Sequence, residues 1–253
     1  NPFNEVISEA AFDGSLSSST FSSTSPEFST DGQYAKCWIR ENNAIWLYKT
    51  GGVFGMEPLS EYLASQLAAH ICPDAVIYDL GFYHGALISK CPLFTSETFG
   101  LAKAAVLTKD RTISGLLRYF EGIGNGDAFR RMCILDALIL NIDRHSGNFG
   151  VLYQNDTMQV QKMAPVFDNN RSLLFDLDDD QLQNTAWCIR HCSPRLGVDF
   201  VATARGLMTD AIRSDLKNLR NFCFEQHPSI PAPQERLDCL TQIVQRQLRE
   251  ILA

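Results

Sequence analysis

Residues 141–152 read NIDRHSGNFGVL. Asp143, Arg144 and His145 follow directly on MCILDALIL (132–140), an apolar run suited to a buried helix. Charge at the edge of a core is costly unless it is paired or faces water or metal. The loop therefore marks a cleft. Downstream, FGVLY (149–153) reads as a strand, QNDT (154–157) as a turn and MQVQKMAPVF (158–167) as the returning strand. A hairpin brings its second strand back to where the first began. Asp168, at the end of that strand, should return beside Asn148.

Three oxygen-bearing side chains, Asp143, Asn148 and Asp168, then converge at one mouth. This suits Mg²⁺-dependent phosphoryl transfer. Mg²⁺ takes oxygen ligands and keeps several waters, so Asn148 and Asp168 with nucleotide phosphates suffice. Asp143 is a separate carboxylate, able to orient an attacking hydroxyl and take its proton. The protein-kinase catalytic loop has the same D-x-x-x-x-N spacing, with a metal-binding Asp after a hairpin. The plainer reading is a polar loop with Asp143 paired to Arg144 or His145 for structure. The helix before the loop and the Asp-terminated hairpin after it favour the catalytic one.

Working outward, YAKCWI (34–39) and AIWLYK (44–49) read as a hairpin around ENN (41–43). Alternation puts Ile45, Leu47 and Lys49 on one face, with Trp46 and Tyr48 on the other. EPLSEYLASQLAAH (57–70) reads as an amphipathic helix with Leu59, Leu63 and Leu67 on one stripe. Glu61, in preference to Glu57, can hold Lys49 against nucleotide phosphates. AVIYDLGF and ALISKCPLF, joined by YHG, form a second hairpin. Its end, Ser89, Lys90 and Cys91, is the expected hinge, where backbone groups meet adenine. Beyond Pro92 the segments 112–121, 126–141, 198–224 and 233–252 look helical, the last with a stripe of Leu237, Leu240, Val244, Leu248 and Ile251. The expected class is α+β with two lobes: a Ser/Thr-rich segment at 1–28, a β-rich N-lobe with one helix at 29–92, and a mainly helical C-lobe at 93–253.

With these residues assembled, the chain resembles the HipA-like serine/threonine kinases, relatives of the phosphoinositide kinases. NIDRHSGN and APVFD look like that family's catalytic and metal-binding pair, with Asp168-Asn169-Asn170 in place of the protein-kinase D-F-G. STDGQYAK is similar to the family's nucleotide loop S-x-x-G-x-x-x-K, through Ser29, Gly32 and Lys36. The resemblance implies ATP and Mg²⁺ as cofactors, Asp143 as general base within a catalytic Asp143-Arg144-His145 triplet, and Asn148 and Asp168 as metal ligands. It implies phosphate contact for Lys49 and a nucleotide loop carrying Ser29, Thr30, Gly32 and Lys36. Ser29 corresponds to a serine that family members autophosphorylate. A protein substrate with a Ser or Thr acceptor is implied, and with it an antitoxin or other regulatory partner. A lipid or small-molecule kinase, or a nucleotide-binding pseudokinase acting as an interaction module, would use the same fold.

Composition bounds the rest. The chain has 253 residues and a net charge of −7, from 22 Lys+Arg against 29 Asp+Glu. That balance argues against a dedicated nucleic-acid binder. No run reaches the roughly 18 apolar residues that span a bilayer. The 8 cysteines are scattered, which suits reduced thiols in a cytoplasmic protein, or an effector secreted by a pathogen. Asn1 is not a natural start, so the natural N-terminus is expected upstream. GSLSSSTFSSTSPEFSTD (14–31) reads in its first half as a linker. CIRHC (188–192) lacks a second ligand pair for zinc. DLDDD (176–180) lacks the Gly and Glu of a calcium loop and reads as a solvated acidic loop, with Asp176 near the site.

Overall fold

The computed structural model describes residues 35–52 and 55–253. Ser29, Thr30, Gly32 and the 1–28 segment lie outside the described residues. The first sheet holds β1 (Lys36–Glu41), β2 (Ala44–Thr50), β3 (Asp79–Tyr83) and β4 (Ala86–Pro92), antiparallel in the order β1-β2-β4-β3. Asn42 and Asn43 both take positive φ, as do His84 and Gly85. That is what a two-residue hairpin turn requires, and Asn and Gly supply it at least cost. The two faces divide as alternation dictates. Tyr48 packs with Cys37, Ile88 and Trp46, while Leu47 packs with Val76, Tyr78 and Cys91.

Helix α1 (Met56–Ile71) lies against this sheet and buries Leu59, Leu63 and Leu67. A strap from residues 222–230 crosses behind it. Gln66 and the Glu225 backbone exchange two hydrogen bonds of 2.9 Å. His227 packs edge-on against Tyr62 and lies 2.9 Å from the Asp79 carboxylate. These contacts fix the helix that carries Glu61.

The second sheet, β5 (Phe99–Lys103), β6 (Gly150–Gln154) and β7 (Val160–Met163), runs in that order. Strand β5 was not expected, because FGLAK carries little alternation. Gly150 is required where β6 meets β5: a Cβ there would strike the Ala102 carbonyl. The returning strand is shorter than 158–167. It ends at Met163, and Val166 instead bridges Ala75 in parallel.

The helical part begins with α2 (Ala104–Leu107), α3 (Ile113–Gly122) and α4 (Gly126–Ile139). α4 is buried on nearly every face, with Phe129, Met132, Ile134, Leu135, Leu138 and Ile139 fully enclosed. Such side chains contribute about 1.5–3 kcal/mol each on burial. The acidic loop forms a helix start: Asp178 and Gln181 make a reciprocal capping box on α5 (Asp179–Leu182), and α6 (Thr185–His191) follows. The segment 198–224 is not one helix. It divides at Met208 into α7 (Phe200–Leu207), α8 (Asp210–Lys217) and a 3₁₀ turn (Asn218–Asn221), because the Thr209 side chain caps the Ile212 N–H and restarts the helix. α9 (Gln234–Leu252) buries the whole expected stripe. All eight cysteines are free thiols. Among the described residues no helix is long and apolar enough to cross a membrane.

Candidate active site

α4 ends at Leu140, which takes φ 52, a left-handed conformation that costs a non-glycine residue on the order of 1–3 kcal/mol. The chain turns there into the polar loop. Asn141 accepts the Asp143 N–H at 3.0 Å, and the His145 carbonyl accepts the Asn148 N–H at 2.8 Å. His145 Nδ1 accepts the Gly147 N–H at 3.0 Å. Burial, and then the charge of Arg195, hold this imidazole below its usual pKa, which agrees with an unprotonated Nδ1.

Arg144 departs from the expectation of a catalytic side chain. It is 1% exposed and turns inward. Nε reaches both oxygens of Asp136, at 2.9 and 3.2 Å, and Nη2 reaches Asp136 Oδ1 at 3.0 Å and Asn169 Oδ1 at 2.5 Å. Nη1 donates to the Asn148 carbonyl at 3.0 Å and to the Phe167 carbonyl at 2.7 Å. One guanidinium nitrogen thus clips the end of the polar loop to the residue before Asp168. The Arg144 guanidinium is engaged in holding these segments together. Burial opposes its charge, but the Asp136 carboxylate outweighs that and holds its pKa above the usual value.

Across the cleft, Lys49 Nζ lies 2.6 Å from Glu61 Oε1 and 2.7 Å from Asp168 Oδ1. Glu61 is fully buried and its second oxygen accepts the Ser89 hydroxyl at 2.6 Å. Glu57 instead accepts the Gly52 N–H at 2.9 Å, so it ties the loop before α1 and leaves Lys49 to Glu61. Burial opposes the Lys49 charge, yet Asp168 and Glu61 together raise its pKa. Burial likewise opposes ionisation of Asp168, but Lys49 beside it lowers the pKa. Glu61 is raised, since burial and the second carboxylate outweigh Lys49. Lys36 pairs with Lys49 across β1 and β2, and its charge also favours ionised Asp168. Asp168 itself takes φ 60 and its N–H donates to Tyr78 Oη at 3.3 Å.

The expected hinge is corrected. Ser89 and Lys90 pair with β2 on one side and β3 on the other, so their backbone groups are spent on the sheet. Ser89 holds Glu61. Lys90 turns to the outer face, over the Trp46 ring and 3.7 Å from Asp79. Cys91 faces the cleft side among Leu47, Val76, Tyr78, Phe94 and Phe167, where burial pushes its thiol up to about 12. This apolar cluster adjoins Lys49, whose Nζ sits 5.6 Å from the Tyr78 ring centroid.

The donor set suits Mg²⁺. Asn148 Nδ2 donates to the Asp143 carbonyl at 3.1 Å, which leaves the amide oxygen for a cation, and Asp168 keeps Oδ2 beside its Lys49 bond. Among the described residues there is no cluster of three or more His, Cys, Asp or Glu able to hold a metal. A cation here would take two protein oxygens and complete its shell with phosphates and water, as Mg²⁺ does. Asp143 stands apart, its Oδ1 2.6 Å from Arg195 Nη1 and its Oδ2 3.8 Å from Arg171 Nη1. Asp136 was legible in principle, as a lone carboxylate in an apolar helix that demands a buried partner. Arg195 and Tyr78 carried no local signal.

No protein-family model matches the chain, and no curated protein matches it in sequence. Solved structures do match. A Helicobacter pylori proinflammatory kinase, CtkA, aligns with TM-score 0.65 and 18% identity, over 86% of this chain and 91% of that one. Shewanella oneidensis HipA, solved with HipB and operator DNA, aligns with TM-score 0.50 and 10% identity, over 99% of this chain and 70% of that one. The chain has the two-lobed α+β fold of HipA-like kinases.

Proposed function

We propose that the protein is an ATP- and Mg²⁺-dependent phosphotransferase acting on a Ser or Thr hydroxyl. The observation that carries this reading is Lys49 held between Glu61 and Asp168, with Asp168 clipped through Arg144 to the loop bearing Asp143 and Asn148. Lys49 would contact the nucleotide phosphates, with Glu61 and Ser89 fixing its position. The Cys91 and Tyr78 cluster would form the apolar wall against adenine, and the backbone after Leu93 would take the hinge role first assigned to Ser89 and Lys90. Asn148 and Asp168 would hold Mg²⁺, which when bound neutralises charge on phosphate oxygens. Asp143 would orient the acceptor hydroxyl and accept its proton as the new P–O bond forms. The bond to the leaving β-phosphate oxygen breaks and ADP departs with the electron pair.

Ser29, in the segment that resembles a nucleotide loop, is the proposed autophosphorylation site, with Thr30 its nearest competitor. Phosphate there would add about −1.5 to −2 charge beside a triphosphate site and lower ATP affinity. The HipA neighbour was solved with HipB, and a regulatory partner for this chain is part of the same proposal. The test is incubation with Mg-ATP followed by phosphosite mapping. Phosphate on Ser29 in the wild type and its absence from Asp143→Asn is the expected result. Equal ATP affinity for Ser29→Asp and Ser29→Ala would count against autoinhibition. ATP binding with no phosphate transfer to any acceptor would favour a pseudokinase.

A further inference from the structure

Asp143 is not open to solvent on all sides. Its Oδ1 makes a 2.6 Å ion pair with Arg195 Nη1, and its Oδ2 faces Arg171 Nη1 at 3.8 Å. Arg195 comes from the loop between α6 and α7. Its neighbours Pro194 and Leu196 line a small cavity with Asn141 and Arg144, directly against the catalytic loop. Leu196 packs against the main core and so holds the backbone beside 195, while the Arg195 side chain is 58% exposed. On the other side of Asp143, Arg171 lines a cavity of about 240 Å³ whose walls include Ile142, Leu174, Phe175 and Asp176.

A carboxylate that must orient a hydroxyl and take its proton cannot stay fully engaged by a guanidinium. An approaching acceptor has to draw Arg195 off Oδ1. A neutral acceptor offers it nothing in exchange, whereas a carboxylate or phosphate beside the acceptor offers a charge-assisted, bidentate partner. The cavity beside Arg171 is a solvent-open, partly apolar recess, which fits a flanking side chain of a peptide. We propose that Arg195 selects the acceptor: the substrate is a protein segment in which the Ser or Thr is flanked by an anionic group. This rests on the reading of Asp143 as the base.

The test uses fluorescein-labelled peptides with a central serine flanked by glutamates, by phosphoserines or by glutamines. Anisotropy is measured on the wild type and on Arg195→Gln, with melting curves to show that both are folded. The glutamate or phosphoserine peptide should bind the wild type about 10-fold more tightly than the glutamine peptide, the scale of one charge-assisted hydrogen bond. Whichever anionic peptide binds better names the source of the charge. Arg195→Gln should abolish most of the contrast. Equal binding of all peptides to the wild type, or a contrast unchanged by Arg195→Gln, would overturn the proposal. So would Arg195-dependent binding of phosphoinositide vesicles with none of the peptides. Phosphate transfer is read separately. Arg195-dependent binding without transfer would count against the kinase reading and leave the recognition standing. Equal transfer to all three peptides would sink the recognition and leave the kinase reading intact.

Discussion

The two walls of the cleft treat charge differently. On one, Lys49, Glu61 and Ser89 are buried and joined by hydrogen bonds of 2.6 Å, and Lys49 reaches Asp168 at 2.7 Å. On the other, Asp143 meets an arginine that is 58% exposed. Exposed pairs contribute about 0–1 kcal/mol, whereas breaking a buried pair costs about 3–5 kcal/mol. The wall proposed to bind nucleotide is thus set before ligand arrives. The wall proposed to meet the acceptor is held by a contact weak enough to exchange. Rigid positioning suits a cosubstrate that never varies, and an exchangeable latch suits selection among acceptors.

Arg144 ties the two walls together, and removing it should have the largest effect. Arg144→Leu leaves Asp136 buried without its charged partner, with only the Asn141 amide on the carboxylate, and unclips Asn148 from Phe167. Thermal or denaturant unfolding should report a loss of about 3–5 kcal/mol. A loss near zero would mean the walls are held independently. Asp143→Asn should come next, with phosphate transfer falling about 10²–10⁴-fold while Mg-ATP affinity is kept. Wild-type turnover would remove Asp143 from the base role. Glu61→Gln keeps the shape but takes a charge from Lys49. It should weaken ATP binding or turnover about 10-fold, the scale of a hydrogen bond to a charged group, and a change confined to acceptor affinity would contradict the division of labour.

The smallest effect concerns His145. Its pKa is lowered from 6.5 by burial first and by Arg195 second. Between the folded value and 6.5 the unfolded chain binds more protons. The stability from this group is therefore intact above pH 6.5 and declines as pH falls below it. NMR titration of the ring should give a midpoint under 6.5, moved upward in Arg195→Gln. A midpoint at or above 6.5 in the wild type would contradict the burial of the ring, and a midpoint unmoved in Arg195→Gln would show that Arg195 is not seated against the loop.

What the sequence disclosed follows from chain distance. Asp143 and Asn148 lie in one loop and a single hairpin follows, so spacing alone led to the expectation that Asp168 returns to them; Arg144 Nη1 ties the Asn148 carbonyl to that of Phe167, the residue before Asp168. Lys49 and Glu61 are twelve residues apart and their pairing needed only a strand and the next helix. Ser89 was given to the hinge because the second hairpin was read by itself; that Ser89 and Lys90 sit in a central strand becomes evident only once β2 is seen to pair with β4 on its other side. Arg144 looked catalytic by its position in the loop. Its inward turn depends on Asp136, Asn169 and Phe167, and the last two lie 25 and 23 residues away. Arg195 reaches Asp143 across 52 residues from the irregular loop between α6 and α7, where neither periodicity nor capping leaves a trace.

The central claim is that the buried wall is a prebuilt Mg-ATP site, and calorimetric titration of ATP with and without Mg²⁺ tests it most directly. The wild type and Asp143→Asn should bind ATP with the same Mg²⁺-dependent affinity, and Asp168→Ala should lose that dependence. Unchanged Mg²⁺ dependence in Asp168→Ala, or no ATP binding by the wild type, would contradict it.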